Sequence, residues 1–351
     1  MIKELEKYRG TYSSFKTEFY ISSNKVQISL KTLGIMHITP SEINYEDNAL
    51  RFKINVQNCN ITYKLRFKDN YIDYVFIQYG YVMHGKASKI SSEVEFTSEY
   101  KKRPIYFDLL SEYKFGNSIY SEIDYQYVLN NKDSFNYFTK YINLEEVTKI
   151  SLDSQKAIKC LDEISKLLKH RGNSGLPNDK DIVSLFKYSE SYDNGINCRG
   201  LAMILAELLR CIGLKAYHVT CMPYNIEDSD CHVVTEVYCE DLNKWIMLDP
   251  SFNIYVYNDK ILNVVEVRKA LEIGEELKCY NKINHNGDTY SFDTYQKYMA
   301  KNTFRLFRAI ISKDGLDHKV ENCIYLVSDD YDLDKENNGY KINNPKYFYN
   351  K

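Results

Sequence analysis

Two periodicities divide the chain. From Tyr8 to about Phe96, apolar and polar positions alternate. Val26, Ile28 and Leu30 stand against Lys25, Gln27 and Ser29; Leu50, Phe52, Ile54 and Val56 against Arg51, Lys53, Asn55 and Gln57; Ile61, Tyr63, Leu65 and Phe67 against Thr62, Lys64, Arg66 and Lys68. A repeat of two sends successive side chains to opposite faces, so these segments predict half-buried strands. Asn58-Cys59-Asn60 predicts the turn between the last two, and further strands are expected near Tyr71 to Tyr79 and Val94 to Phe96. The expected product is an antiparallel sheet or small barrel over residues 1–102. Arg103-Pro104 interrupts the pattern, and residues 103–133, rich in Tyr, Ser and Asn, predict a linker or wrapping segment.

The remaining chain, 134–351, mixes helical and strand spacing. Helices are expected over Ser134 to Tyr141 and over Ser154 to Arg171, the second with Ala157, Leu161, Ile164, Leu167 and Leu168 on one face and Ser154 as its cap. Gly172 to Asp181 is a break, and Ile182 to Tyr188 leads to Asn194. Cys198, Ala202, Leu205 and Leu209 then recur at helical spacing until Gly213. Leu214 to Thr220 and His232 to Tyr238 predict strands, and Glu240 to Asn243 a turn. Trp245 to Asp249 predicts a further strand, which Pro250 ends. Val264 to Ile273 predicts a helix and Cys323 to Val327 a strand, while Phe304 to Arg308 fits neither period. Segregated strands followed by mixed elements give an α+β chain.

Cys198, His232 and Asp249 form the set a thiol nucleophile needs. Cys198 is expected at a helix N-terminus, where unpaired N–H groups favour the thiolate. Gly195 is expected to let a substrate approach the backbone. A hairpin centred between Glu240 and Asp241 would put Asp249 directly opposite His232, and a one-residue move of that centre would make them diagonal neighbours. In either register the carboxylate can fix the imidazole tautomer while the imidazole moves the thiol proton. Glu236, on the same strand face as His232, is the competing orienter. His37 and His84 are expected to be structural.

The segments NCRGLAMILAELLRCIGLKAYHV, DCHVVTEVY and KWIMLDPSF resemble the transglutaminase-like superfamily, at least over Ser154 to Asn253 and onward through EVRKALEIG, YQKYMAKN and NNPKYFY. That resemblance implies a papain-like transglutaminase core with Cys198, His232 and Asp249 as its triad, and acyl transfer through a Cys198 thioester. Two features depart from the family. Val233 stands where an aromatic often follows the histidine. No Trp precedes the cysteine, Trp245 being the only one, so the oxyanion has no assigned donor beyond the Cys198 N–H.

The implied partners are an acyl donor (a peptide, an amide or a carrier-bound thioester) and an amine or water as acceptor. An amine acceptor gives an amide-forming acyltransferase, as in natural-product assembly. Water gives a cysteine peptidase or amidase, and loss of chemistry a binding scaffold. With 44% apolar and 27% charged residues and a formal net charge of -2, the chain has no general attraction for nucleic acid or anionic membrane. The sequence shows no apolar run of membrane-span length and no export signal, and its nine Cys suit a reducing compartment, so a cytoplasmic location is expected. No cofactor is expected, there being no phosphate-binding or dinucleotide glycine pattern. No metal is expected either, since Cys211, Cys221, Cys231, His232 and Cys239 contain no C-x-x-C knuckle. Glu227, Asp228 and Asp230 are expected in a polar loop before His232, at the rim of the entrance.

Overall fold

The computed structural model describes residues 6–12, 15–21, 26–30, 34–38, 43–46, 49–56, 59–78, 81–91, 110–111, 113–223, 230–280, 292–317, 319, 323–329, 331 and 340–350. The chain divides into two compact units, Met1–Leu109 and Leu110–Lys351.

Unit 1 is a nine-stranded sheet: β1 (Glu6–Tyr12), β2 (Phe15–Ile21), β3 (Val26–Leu30), β4 (Gly34–Ile38), β5 (Asn44–Glu46), β6 (Ala49–Val56), β7 (Cys59–Phe67), β8 (Tyr71–Gln78) and β9 (Tyr81–Ser91). The order is β4-β3-β2-β1-β9-β8-β7-β6-β5, and every pairing is antiparallel. The sheet curls on itself, since β4 lies against β6. Phe19 on β2 consequently reaches Tyr63 on β7 at 6.2 Å between ring centroids and Tyr74 on β8 at 5.1 Å. The apolar half of the alternation fills this interior with Leu50, Phe52, Tyr63, Leu65, Ile72 and Tyr74, whose burial from water holds the curl closed. At Gly85 the Tyr74 ring lies over the backbone, so that a Cβ would stand 2.2 Å from its Cζ. The turn expected at Asn58-Cys59-Asn60 is displaced, because Cys59 and Asn60 already pair with Val56 and Asn55. The strand expected at Val94 to Phe96 lies outside the described residues.

Unit 2 is built around one buried helix. Its helices are α1 (Lys132–Phe138), α2 (Leu144–Thr148), α3 (Asp153–Leu167), α4 (Ile182–Glu190), α5 (Cys198–Cys211), α6 (Val264–Ile273), α7 (Phe292–Asn302) and α8 (Pro345–Phe348). The main sheet has the order β15-β14-β13-β18-β20-β21: β13 (Ala216–Met222), β14 (His232–Cys239), β15 (Lys244–Leu248), β18 (Arg305–Ala309), β20 (Cys323–Leu326) and β21 (Tyr340–Ile342). Short pairs complete it: β10 (Gln126–Tyr127) with β19 (Ile311–Ser312), β11 (Lys169–His170) with β12 (Gly195–Ile196), and β16 (Val256–Tyr257) with β17 (Lys278–Cys279). One side of α5 packs on β13 and β14 and the other meets α1, α3 and α4, so every residue from Gly200 to Cys211 is buried. A helix buried all round needs its charges paired. Arg210 donates to Glu207 Oε2 at 2.7 Å and to Asp317 Oδ2 at 3.2 Å.

Three details differ from the sequence reading. The helix expected from Ser154 to Arg171 ends at Leu167, since Lys169 N donates to Asn194 O at 2.7 Å and Arg171 N to Ile196 O at 2.8 Å, pulling the chain into β11. Ser154 is not its cap: Leu152 holds that position, and the Ser154 amide and hydroxyl donate to Asp241 instead. Phe304 to Arg308 contributes the central strand β18, buried throughout. The segment after Leu110 lies against the end of the chain, with Tyr125 Oη donating to Tyr347 O and Ser118 N to Asn343 Oδ1. Trp245 on β15 is 4% exposed and packs on Tyr217 at 4.8 Å and Tyr238 at 5.6 Å.

Candidate active site

Cys198 is the first residue of α5. Asn197 caps the helix with its side chain, accepting from Gly200 N at 3.1 Å, and its amide donates to Ser174 O at 2.9 Å. The thiol therefore sits half-buried at the positive end of a four-turn helix that cannot shift, since its sides are fully packed. Gly195 serves this entry rather than a substrate. A Cβ there would meet Tyr192 O at 2.9 Å and Arg171 Cβ at 3.3 Å, so the close approach of the preceding turn and of the β11 side requires glycine.

His232 opens β14 and Asp249 follows β15. The four-residue connection Glu240 to Asn243, closed by Asn243 in the left-handed region (φ 49°), pairs Cys239 with Lys244 and Thr235 with Leu248. The hairpin centre thus lies between Asp241 and Leu242, one residue beyond the first expectation, and Asp249 is the diagonal neighbour of His232. The contact forms nonetheless: His232 Nε2 stands 2.6 Å from Asp249 Oδ2, with both residues buried. Tyr295 Oη donates to the same carboxylate oxygen at 2.9 Å, and Ser251 N to Oδ1 at 3.0 Å. With Nε2 committed to Asp249, Nδ1 of His232 is the nitrogen left to hydrogen-bond Cys198.

Burial pushes the Cys198 thiol up, but hydrogen bonds with His170 and His232 and the charge of the imidazoles outweigh it and bring the pKa down to about 6. Burial pushes His232 down, yet the Asp249 charge and hydrogen bond raise it to about 10. Between these values the site holds a thiolate beside an imidazolium. Iodoacetamide should therefore label Cys198 at a rate reaching half its plateau near pH 6, well below the ~8.5 of an ordinary thiol. Intact-mass measurement across pH 4 to 9, with Cys198→Ala as the background, checks this. A midpoint near pH 8.5 would show an unactivated thiol.

The competing orienter is occupied elsewhere. Glu236 accepts from Val264 N at 2.6 Å, Tyr349 Oη at 3.0 Å and Tyr217 Oη at 3.1 Å, and burial raises it to about 7 against those hydrogen bonds. Four residues join the site without having been singled out in the sequence. His170 on β11 hydrogen-bonds Cys198; Phe252 lies 5.6 Å from the His232 ring and 6.0 Å from that of His170; Tyr295 and Tyr298 on α7 flank His232. The spacing of Tyr295 and Tyr298, three apart on a helix, is the signal that could have found the last two. Tyr298 Oη donates to Asp230 Oδ1 at 3.1 Å, and Lys301 Nζ to Asp230 Oδ2 at 2.6 Å. Glu227 and Asp228 lie outside the described residues.

Among the described residues no group of three or more His, Cys, Asp or Glu could hold a metal ion, and the cysteines are free thiols. No described helix is long and apolar enough to cross a membrane. His84 is exposed on β9, and His37 lies on β4. A cavity of about 630 Å³ is lined only by unit 1 residues, among them Arg51, Lys64, Arg66 and His84, and holds no nucleophile paired with a base.

Residues 143–250 match the model of the Transglutaminase-like superfamily. Among solved structures, one described as a cysteine protease from Cytophaga hutchinsonii is 13% identical, with 62% of this chain and 70% of that one covered and a TM-score of 0.27. One described as a protease from Parabacteroides distasonis is 10% identical, with 59% and 37% covered and a TM-score of 0.25. Red sea bream transglutaminase is 14% identical, with 80% and 54% covered and a TM-score of 0.25. The chain thus spans little more than a third of the second and about half of the third. No curated protein matches the sequence.

Proposed function

We propose that this chain, which carries a domain of the transglutaminase-like superfamily over residues 143–250, transfers an acyl group through a thioester on Cys198 to an amine. The observation that carries the reading is the arrangement around one sulfur: a thiol at a helix N-terminus, beside an imidazole whose far nitrogen is 2.6 Å from a buried carboxylate. The Cys198 thiolate attacks the carbonyl carbon of the donor, and the electron pair of the C=O moves to oxygen. As the tetrahedral intermediate collapses, the bond to the leaving group breaks, and His232 gives that group its proton. The amine then attacks the thioester and loses a proton to His232; an amide forms and the thiolate returns.

An amine is favoured over water by the enclosure of the reacting groups. His232 and Asp249 are 1% and 0% exposed, and the rings of Phe252, Tyr295 and Tyr298 cover them, a surface that sheds water and accepts the apolar part of a substrate. Water as acceptor is the second reading, a peptidase or amidase using the same thioester.

Incubating the full chain with acyl thioesters and peptides, and weighing it intact, should show an acyl adduct on the wild type that an added amine discharges as an amide. Cys198→Ala should form none. Discharge by water alone, at every amine tried, would establish the hydrolase. A wild type that takes no acyl group from any donor would remove both readings.

A further inference from the structure

The geometry points to His170 as a second catalytic imidazole, the side-chain donor that holds the oxyanion formed when Cys198 attacks a carbonyl. This inference rests on the thioester reading. Cys198 Sγ is hydrogen-bonded by two imidazoles, not one. They are held differently. His232 is locked through Nε2 by Asp249, so its Nδ1 must shuttle the proton between sulfur and the leaving group. His170 has no such duty, and against a thiolate its ring nitrogen can only donate.

When the C–S bond forms, negative charge leaves sulfur and appears on an oxygen bonded to the same carbon. A donor already aimed at the sulfur is then within reach of that oxygen and loses its former acceptor, so its bond strengthens in the transition state. Preferential stabilisation of this kind is what accelerates a reaction. The Cys198 backbone N–H, at the helix N-terminus, supplies one donor, and an oxyanion takes two.

The position of His170 is fixed on both sides. Lys169 N and Arg171 N, its chain neighbours, donate to Asn194 O at 2.7 Å and Ile196 O at 2.8 Å, so β11 is tied to the strand that runs into Cys198. Phe252 packs its ring 6.0 Å from His170 and 5.6 Å from His232, a common wall for both imidazoles. His170 is also half-buried where His232 is 1% exposed, so it stands on the side from which a substrate carbonyl can enter.

Two reactions of the same sulfur separate this role from simple thiolate stabilisation. Iodoacetamide alkylates by displacement at a saturated carbon and makes no oxyanion, whereas p-nitrophenyl acetate acylates through one. On the full chain at pH 7, with Cys198→Ala as background, His170→Phe keeps a ring beside Phe252 but removes the donor. It should slow acylation by about 100–1,000-fold and alkylation by less than about tenfold, the effect of one pKa unit. His170→Gln, which keeps an N–H, should recover at least about tenfold of the acylation. Unchanged Trp245 emission certifies the fold of each variant, and His170→Leu replaces the Phe variant if that one unfolds. Equal loss in both reactions would make His170 a thiolate stabiliser only and overturn the proposal, as would acylation that does not fall. A wild-type Cys198 that acylates no faster than a free thiol would instead remove the acyl-transfer reading, and this role with it.

Discussion

Asp249→Asn should lower acyl transfer by roughly 10³–10⁴-fold while leaving the fold in place. The carboxylate is completely buried and accepts from His232 Nε2, Tyr295 Oη and Ser251 N. An amide can keep the Ser251 bond by presenting its oxygen at the Oδ1 place, but its NH₂ group then takes the Oδ2 place and faces both Nε2 and Tyr295 Oη. That forces the proton of the neutral ring onto Nδ1, toward Cys198, where a base is needed. The imidazolium also loses its counter-charge. With the largest raising influence on His232 gone, its pKa falls from about 10 and that of Cys198 rises from about 6. Alkylation at pH 6 should drop accordingly, with its midpoint moving toward 8 to 9. Glu236→Gln is the control. Its carboxylate faces Val264, Tyr217 and Tyr349, so the Cys198 midpoint should stay near 6. An Asp249→Asn enzyme with an unmoved midpoint and an undiminished rate would show that the imidazole needs no orienter.

The largest effect on stability is expected from Arg210→Ala. Arg210 is 1% exposed and bridges Glu207 and Asp317, also buried, with a further bond to Ala216 O at 3.1 Å. Truncation strands two carboxylates in the core beside Asp314, which burial and the Glu207 charge already push up to about 7. Leaving buried charge uncompensated costs about 3–5 kcal/mol, which for a unit of this size lowers the thermal midpoint by on the order of 10 °C. The pH dependence has a definite sign. In the wild type, burial opposes ionisation of Asp317, but the His218 and Arg210 contacts prevail and hold it below its usual range. This contribution is therefore present above about pH 4 and lost as pH falls through the depressed value. In the variant the Arg210 share of that hold on Asp317 is gone and only the His218 share remains, so its deficit should shrink as pH is lowered toward 4. Denaturant melts at pH 4.5 and 7.5 check both statements. A variant within 1 kcal/mol of wild type at pH 7.5 would mean the pair contributes nothing net.

The juxtaposition of the candidate residues was legible where one element carried each of them. Cys198, Ala202, Leu205 and Leu209 marked one side of α5, and the hairpin spacing brought His232 and Asp249 within reach in the second of its two expected registers. The full burial of α5 was not legible, because Glu207 and Arg210 are charged, and beyond their bond to each other their partners Ser134 and Asp317 come from 73 and 107 residues away. His170 was hidden by the same cause. Leu167 and Leu168 continue a helical stripe past the point where the helix stops, and what stops it is hydrogen bonding to Asn194 and Ile196. Arg305 to Ala309 escaped assignment because a strand covered on both faces loses the alternation that identifies one. In unit 1 the period of two survived, and β3, β6 and β8 emerged nearly at their observed bounds.

Trp245 gives the molecule an optical property that its sequence composition would not suggest. Against 33 tyrosines there is a single indole, and it lies in unit 2, ringed by Tyr217, Tyr238 and Tyr127 and 5.7 Å from the buried Arg308 guanidinium. Light absorbed by those phenols passes to the indole while the packing lasts, so emission from the one indole reports the state of unit 2. Unit 1, which has only phenols, must be followed through tyrosine emission. A transition seen in tyrosine emission but not in that of the indole is therefore the melting of unit 1.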